Sequence, residues 1–462
     1  MKKKLTTLVL LLTFLQLFGG SDIFNFVHKD YDFVLRISKG GSWYDELKKV
    51  PFFSFISDRK GLGFEDSFSR VLEDMRYKTG VVPAVVQDAM SNDILFASKG
   101  IDVDISNFVS FDINYYLEFI KNIASNSFLV FETKYTTQLP KALSYLLSVN
   151  VRTVSQNLYI IGDTLYSSTS GKYFIIAGSK QTLELALKTF QTPDMQLSKS
   201  VKEFDRLKAG TFFISGFSKP NTLKINLPGG IKIDDSDSEY LLFTSTISAG
   251  SFTFTVEQKN KKQNNTTKIN DSIGTLPLNW NYYLSIPSKN TAALINSVEV
   301  WFSGITSDLI RLTDFFKYSA SLSNNIYVVG RLEAGELVFI FDTFTGKDLE
   351  TNIAKLGAKY DSQKQEWSLN IQNSKFYIYK TGNRLIMATV DKVRFEQYEK
   401  STRRLKDLPI FFDFSKITTY DVKLFMDIGD IIKTTTGFNV ISKLLFWQYS
   451  IGYLSYYKFI IS

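Results

Sequence analysis

The chain has 462 residues, 44% of them hydrophobic and 22% charged, the proportions of a globular protein long enough for two or three domains with sizeable cores. It holds no cysteine and one histidine, which closes off disulfides, the common zinc, haem and iron–sulfur sites and the usual nucleophile–base pairs. The formal charge of +8 includes Lys2, Lys3 and Lys4. The rest is only mildly basic, so no nucleic acid partner is expected, and peripheral association with an anionic membrane surface is compatible with the charge.

Residues 1–21 read as a secretory signal peptide. Lys2–Lys4 form a positive n-region, Leu5 to Phe18 a short apolar h-region, and Gly19-Gly20-Ser21 the small residues a signal peptidase reads. The h-region is too short to cross a bilayer comfortably as a permanent helix. Cleavage near Ser21 and an extracytoplasmic location, periplasmic or secreted, are therefore expected, with an uncleaved anchor as the alternative. His28 would then lie near the mature N-terminus as a surface residue.

From Tyr31 the chain reads "YDFVLRISKGGSWYDELKKVPFF", and from Trp280 "WNYYLSIPSKNTAALINSVEVWF". Without a gap these share Leu35/Leu284, Ile37/Ile286 and Phe53/Phe302, each opening on an apolar strand. Between residues 57 and 97 the first copy carries a helical insertion: Phe64, Phe68, Val71, Leu72 and Met75 share one helical face, and Gly80 follows the last turn. "LVFETKYTTQLPKALSYLL" at Leu129 is answered by "LVFIFDTFTGKDLETNIAKL" at Leu337. "YSSTSGKYFIIAGSK" at Tyr166 is answered by "YIYKTGNRLIMATVD" at Tyr377, aligning Gly171 with Gly382 and Ala177 with Ala388. "FFISGFSKP" at Phe212 meets "IFFDFSKIT" at Ile410, pairing Phe217 with Phe414, Ser218 with Ser415 and Lys219 with Lys416. "LLFTSTISAG" at Leu241 meets "LLFWQYSIGY" at Leu444, with Gly250 opposite Gly452.

Collinear blocks of this kind predict an internal duplication. Copy 1 spans residues 22–257 and copy 2 spans 278–462. A polar linker covers 258–277, where sequons at Asn264, Asn265 and Asn270 read as solvent exposure. Each copy mixes hairpins with amphipathic helices, so the predicted fold class is α+β: two tandem copies of one unit, each an antiparallel or mixed sheet with helices packed on one face. The apolar tail from Lys443 aligns with the hairpin of the first copy and carries Lys443, Gln448, Ser450 and Lys458. It reads as a closing β-hairpin and not as a transmembrane helix.

Chemistry-bearing patterns are weak. Ser57 and Lys60 fit S-x-x-K and Lys380-Thr381-Gly382 fits K-T-G, the signature of penicillin-recognising serine hydrolases. No S-D-N element lies between them, and the glycine of the K-T-G has a turn to explain it. Asp234, Asp235, Asp237 and Glu239 concentrate carboxylates, but a calcium loop beginning at Asp235 would need glycine where Tyr240 stands. Asp102 and Asp104 read as structural. Gly171-Lys172 and Gly346-Lys347 lack the upstream glycine of a phosphate-binding loop. Trp43/Tyr44, Phe52/Phe53 and Trp301/Phe302 read as core packing. No catalytic, cofactor-binding or metal-ligating residue is assigned, and no cofactor.

The step Ile176-Ala177-Gly178-Ser179, followed by Phe204-Asp205-Arg206-Leu207 and "GTFFISGF", resembles exported bacterial proteins of unknown function built from tandem α+β repeats. That resemblance implies an extracytoplasmic location and carries no functional residues. The expectation is a non-enzymatic envelope protein acting by binding or scaffolding on an envelope protein partner. The alternative is a carrier or sensor of an apolar ligand such as a lipid, and a serine hydrolase is the remote one.

Overall fold

The computed structural model describes residues 22–100, 103–104, 118, 120–121, 123–209, 212–224, 226–227, 231–232, 235–302, 309–371, 374–408 and 417–462. The signal-peptide reading of 1–21 lies outside these residues, as do Asp102, Asp234 and the pairings made with Phe414, Ser415 and Lys416. The chain divides into two compact units, one of residues 1–44, 67–101 and 111–218, the other of 45–66, 102–110 and 219–462.

In the first unit, short β-branched and aromatic runs form strands β1 (Phe33–Ile37), β2 (Ile94–Ser98), β3 (Ser127–Glu132), β4 (Val151–Ser155), β5 (Leu158–Ile161), β6 (Leu165–Ser170), β7 (Tyr173–Ala177) and β8 (Ile214–Ser218). All pair antiparallel, in the order β8-β1-β2-β3-β7-β6-β5-β4. Leu35 sits opposite both Phe96 and Gly216. One face takes the rings of Phe26 and Tyr173, 5.1 Å apart, with Phe190 stacked 4.2 Å from Phe26. Phe190 belongs to helix α6 (Lys180–Gln191), which Ser179 caps by accepting from the Thr182 amide at 3.2 Å. Along the chain, α1 (Gly40–Leu47), α3 (Phe64–Thr79) and α4 (Ala84–Ser91) follow β1 and α5 (Leu139–Leu146) follows β3, while α2 (Pro51–Ser57), between α1 and α3, belongs to the second unit. Leu72 and Met75 of α3 are buried as the helical face predicts, and Gly80 ends the helix with φ +73°, where a side chain would be strained.

In the second unit, twelve described strands form one antiparallel sheet. They are β9 (Ser238–Ser248), β10 (Ser251–Asn260), β11 (Tyr282–Pro287), β12 (Asn325–Arg331), β13 (Glu336–Asp342), β14 (Lys359–Asp361), β15 (Glu366–Ile371), β16 (Ser374–Thr381), β17 (Arg384–Ala388), β18 (Val422–Met426), β19 (Leu444–Ile451) and β20 (Leu454–Ile461). Their order is β9-β10-β20-β19-β18-β11-β12-β13-β17-β16-β15-β14. Strands β11 to β18 thus follow one another across the sheet in the order β18-β11-β12-β13-β17-β16-β15-β14, the order of β1 to β8 in the first unit. By sheet position β18 stands beside β11 as β8 stands beside β1, with Gly216 opposite Leu35 and Leu424 opposite Leu284.

Both faces of this sheet are covered, which differs from the one-sided packing expected from sequence. Successive residues of a strand point to opposite faces. Phe339 and Phe341 of β13 meet Phe315 and Phe316 of α9 (Leu309–Ser321), the closest rings being 4.7 Å apart. Val338 and Ile340 on the opposite face join Ile273, Leu276, Trp280, Tyr379, Phe395 and Leu405 in a second buried cluster. Phe395 comes from α11 (Lys392–Glu399), capped by Asp391.

Two further readings change. The segment predicted as a linker is strapped to the sheet: the amides of Asn264, Thr266 and Ile269 donate to the carbonyls of Gly452, Ser450 and Thr418 at 2.7–3.0 Å. A polar composition served hydrogen bonding here, where it had suggested a free tether. The insertion placed at 57–97 includes β2, and its helices occupy the connection that α8 (Thr291–Trp301) and α9 fill between β11 and β12. The connection from Ser98 to Ser127 between β2 and β3 is also longer than the tight turn from Arg331 to Glu336 between β12 and β13. The C-terminal segment is the hairpin the sequence predicts, β19 pairing with β20 through Gly452 at φ +61°. No helix among the described residues is long and apolar enough to cross a membrane.

Candidate functional site: a polar cleft on the hairpin sheet

The sequence candidates stay apart and are largely consumed by structure. The Ser57 hydroxyl is buried and donates to the Phe53 carbonyl at 2.9 Å within its own helix, while Lys60 is exposed. Lys380 and Thr381 end β16, and Gly382 with Asn383 makes the turn to β17, with φ +57° at the glycine. The Asp235 carboxylate accepts from the Asn221 amide at 2.9 Å, and Asp237 pairs with Lys262 at 3.3 Å. Asp104 lies in a two-residue parallel bridge with Leu223–Lys224. Lys172 pairs with Glu132 at 2.6 Å. Among the described residues no cluster of three metal-ligating side chains occurs.

Of the aromatic pairs, Phe302 is core, 5.4 Å from Phe376. Trp43, Phe52 and Phe53 are half-buried and Tyr44 is exposed. His28 is not the surface residue expected. Its side chain is 12% exposed, and Nδ1 accepts from the Asp30 amide at 3.2 Å. A backbone bridge to Gln196 draws it in.

Sequence reasoning missed two buried ion pairs, whose partners lie far apart along the chain. In the first unit Arg36 donates to Asp93 at 2.9 Å through Nε, and Ser38 and the Lys39 amide complete the carboxylate's shell. In the second, Lys423 reaches Asp271 at 3.0 Å, with side chains 2% and 8% exposed. Lys423 also donates to the Ile417 carbonyl at 3.0 Å and lies 5.0 Å over the Tyr420 ring. Burial holds the lysine below its ordinary pKa, while Asp271 opposes that shift. An opening of about 580 Å³ lies beside this pair, bounded by residues 268–275, Lys406 and Thr418. Through its bonds to Asp271 and the Ile417 carbonyl, Lys423 ties the 261–277 strap to β18.

A second cleft, of about 320 Å³, lies where β10, β20 and β19 run side by side. Strand alternation puts Gln258 and Asn260, Ser455 and Tyr457, and Gln448 and Ser450 on one face, Gln258 opposite Ser455 and Ser455 opposite Ser450. A strand face that closes on a core is ordinarily apolar. Here Gln258, Ser450, Ser455 and Tyr457 are at most 5% exposed, and hydrogen bonds hold them in place. Tyr457 donates to Gln258 Oε1 at 2.7 Å, Asn260 donates to Ser455 at 2.8 Å, and the Ser450 and Ser455 hydroxyls lie 2.8 Å apart. Helix α8 supplies a wall through Ala292, Ala293 and Asn296. The charged pair Asp237–Lys262 stands at the margin.

Below the cleft, Asp421 accepts from Thr266 at 2.8 Å, and Thr266 Oγ1 accepts from the Ser450 amide at 2.7 Å. Burial raises the Asp421 pKa, against the lowering effect of Thr266 and Ser450. The cleft floor is thereby fixed, a condition for recognising a ligand without a large ordering cost.

No family model matches the chain, and no curated relative matches it. Among solved structures, crystal form I of TP0453 is similar over 39% of this chain and 74% of that one, at 11% identity and a TM-score of 0.25. Crystal form IV covers 39% and 76%, at 11% identity and a TM-score of 0.27.

Proposed function

We propose that this chain is a non-enzymatic, extracytoplasmic envelope protein that acts by binding or scaffolding, built from two copies of one α+β unit. The observation that carries the binding reading is the hydrogen-bonded polar cleft on β10, β19 and β20. Its side chains are ordered as a recognition surface requires and are not arranged as a nucleophile beside a base. Support for the duplication comes from the common strand order of β1–β8 and β11–β18, with hairpins β9–β10 and β19–β20 following each set. The apolar-carrier alternative draws on the aromatic content, but those rings pack in the two sheet cores, as Phe316 does on Phe339 and Phe26 on Phe190.

Native mass spectrometry of the purified protein, with solvent extraction, tests the binding reading. A co-purifying partner chain or polar ligand supports it, and stoichiometric lipid overturns it in favour of the carrier. The extracytoplasmic location is tested separately by N-terminal sequencing of the exported protein. Cleavage near Ser21 is expected, and an intact Met1 on a cytoplasmic protein refutes it.

A further inference from the structure

We infer that the cleft on β10, β19 and β20 binds a neutral saccharide, an inference that rests on the binding reading above and names its ligand class. Three observations narrow the chemistry. First, the lining is amide and hydroxyl. Besides the fixed floor, the side-chain amides of Asn296, Gln448 and Gln263 border the cleft and make no hydrogen bond to another group among the described residues. Each such amide offers a donor and an acceptor in one plane, the pairing that adjacent sugar hydroxyls present.

Second, the formal charges at the cleft, Asp237 and Lys262, neutralise each other at 3.3 Å. Neither an anionic nor a cationic ligand would find an opposite charge waiting for it. An ionic ligand would lose its hydration without compensation.

Third, a peptide in extended form is disfavoured by the backbone. Such a ligand is held by the free edge of a sheet. Here β10 is paired on one side with β9 and on the other with β20, and β20 is paired with β10 and β19. Their main-chain donors and acceptors are committed to the sheet, so side chains alone face the ligand. The methyl groups of Ala292 and Ala293 on α8 supply the small apolar surface that the C–H face of a sugar ring covers. A cleft of about 320 Å³ is at the small end of ligand sites, which suits a short oligosaccharide end or a single residue of a longer glycan.

The test is calorimetric titration of the full chain with maltotriose, cellotriose and tri-N-acetylchitotriose, with glucose 6-phosphate and trialanine as controls. At least one neutral trisaccharide is expected to bind and both controls to stay silent. Asn296→Ala and Gln448→Ala should each weaken that binding about fivefold to tenfold, the loss of one net hydrogen bond, with melting temperatures unchanged. Gln263→Ala, an exposed position, provides the same readout should either of the others unfold.

Binding unaffected by every variant that folds would overturn the assignment to this cleft. Silence toward all three trisaccharides, or a response to trialanine or the phosphate in their place, would overturn the saccharide class. Silence toward saccharides in a protein that still co-purifies with a partner chain or another polar ligand sinks this inference and leaves the binding reading standing. Stoichiometric lipid in the same preparation sinks both.

Discussion

Lys423 and Asp271 show what one buried pair does for a fold. Each is nearly inaccessible, and desolvating two charges is offset only when both partners remain. Lys423→Met is therefore expected to cost about 3–5 kcal/mol, because it leaves Asp271 buried without its cation. Adding Asp271→Leu should recover most of that loss, and chemical denaturation of the single and double variants measures both. Asp421 makes the complementary case. Its folded pKa is raised by burial, so its contribution to stability is fully present below the ordinary carboxylate value and is lost as pH rises through the folded one. Asp421→Asn removes that loss. The variant should melt higher than the parent at pH 7, and the gap should close as pH falls below about 3.9. A gap that widens toward acid would refute the assignment.

At the level of elements, the hairpins carry the most consequence. The two differ in their turns: Ala249 and Gly250 both have positive φ, whereas Gly452 alone does in the second. Mirror-image turns of this kind match the twist of the strands they join. Hairpin β19–β20 is held on both sides, β19 against β18 and β20 against β10 over Phe252–Lys259. Removing residues 443–462 would strip the partner from β10 and from β18 together and uncover Leu445 in the core. The truncated protein is expected to aggregate or lose its cooperative melt, since two sheet edges become exposed. Size-exclusion chromatography with a thermal melt decides it. A monodisperse truncation with unchanged stability would show that the hairpin is an appendage.

Across the whole chain, the proposed duplication has a physical consequence at the junction of the two hairpins. Strands β10 and β20 hold the same place in their respective hairpins and pair antiparallel with each other, Thr255 opposite Lys458. That is the arrangement of an isologous contact, in which one surface meets its own equivalent. A fragment of residues 261–462 retains the strap with Asp271, Ile273 and Leu276 but leaves the β20 edge open. It is expected to form a two-fold dimer through β20, and sedimentation equilibrium would detect it. A folded, strictly monomeric fragment would argue against the shared ancestry of the hairpins.

Sequence alone determined what is local or periodic. The α3 face, the β1 and β11 openings, the glycine turns at 171 and 382 and the C-terminal hairpin were legible because each follows from the periodicity of apolar residues or from a glycine conformation written in adjacent positions. The strand beside β11 was not, because its neighbour is distant in sequence and only the pairing of Leu284 with Leu424 shows that β18 lies there. Burial of the second sheet face, the strapping of 261–277 and the bonding of Lys423 to Asp271 required the tertiary structure, since their partners are distant in sequence. The cleft belongs with them. Gln258, Gln448 and Tyr457 are unremarkable where they stand in the chain, and only strand register lines up their side chains on one polar face.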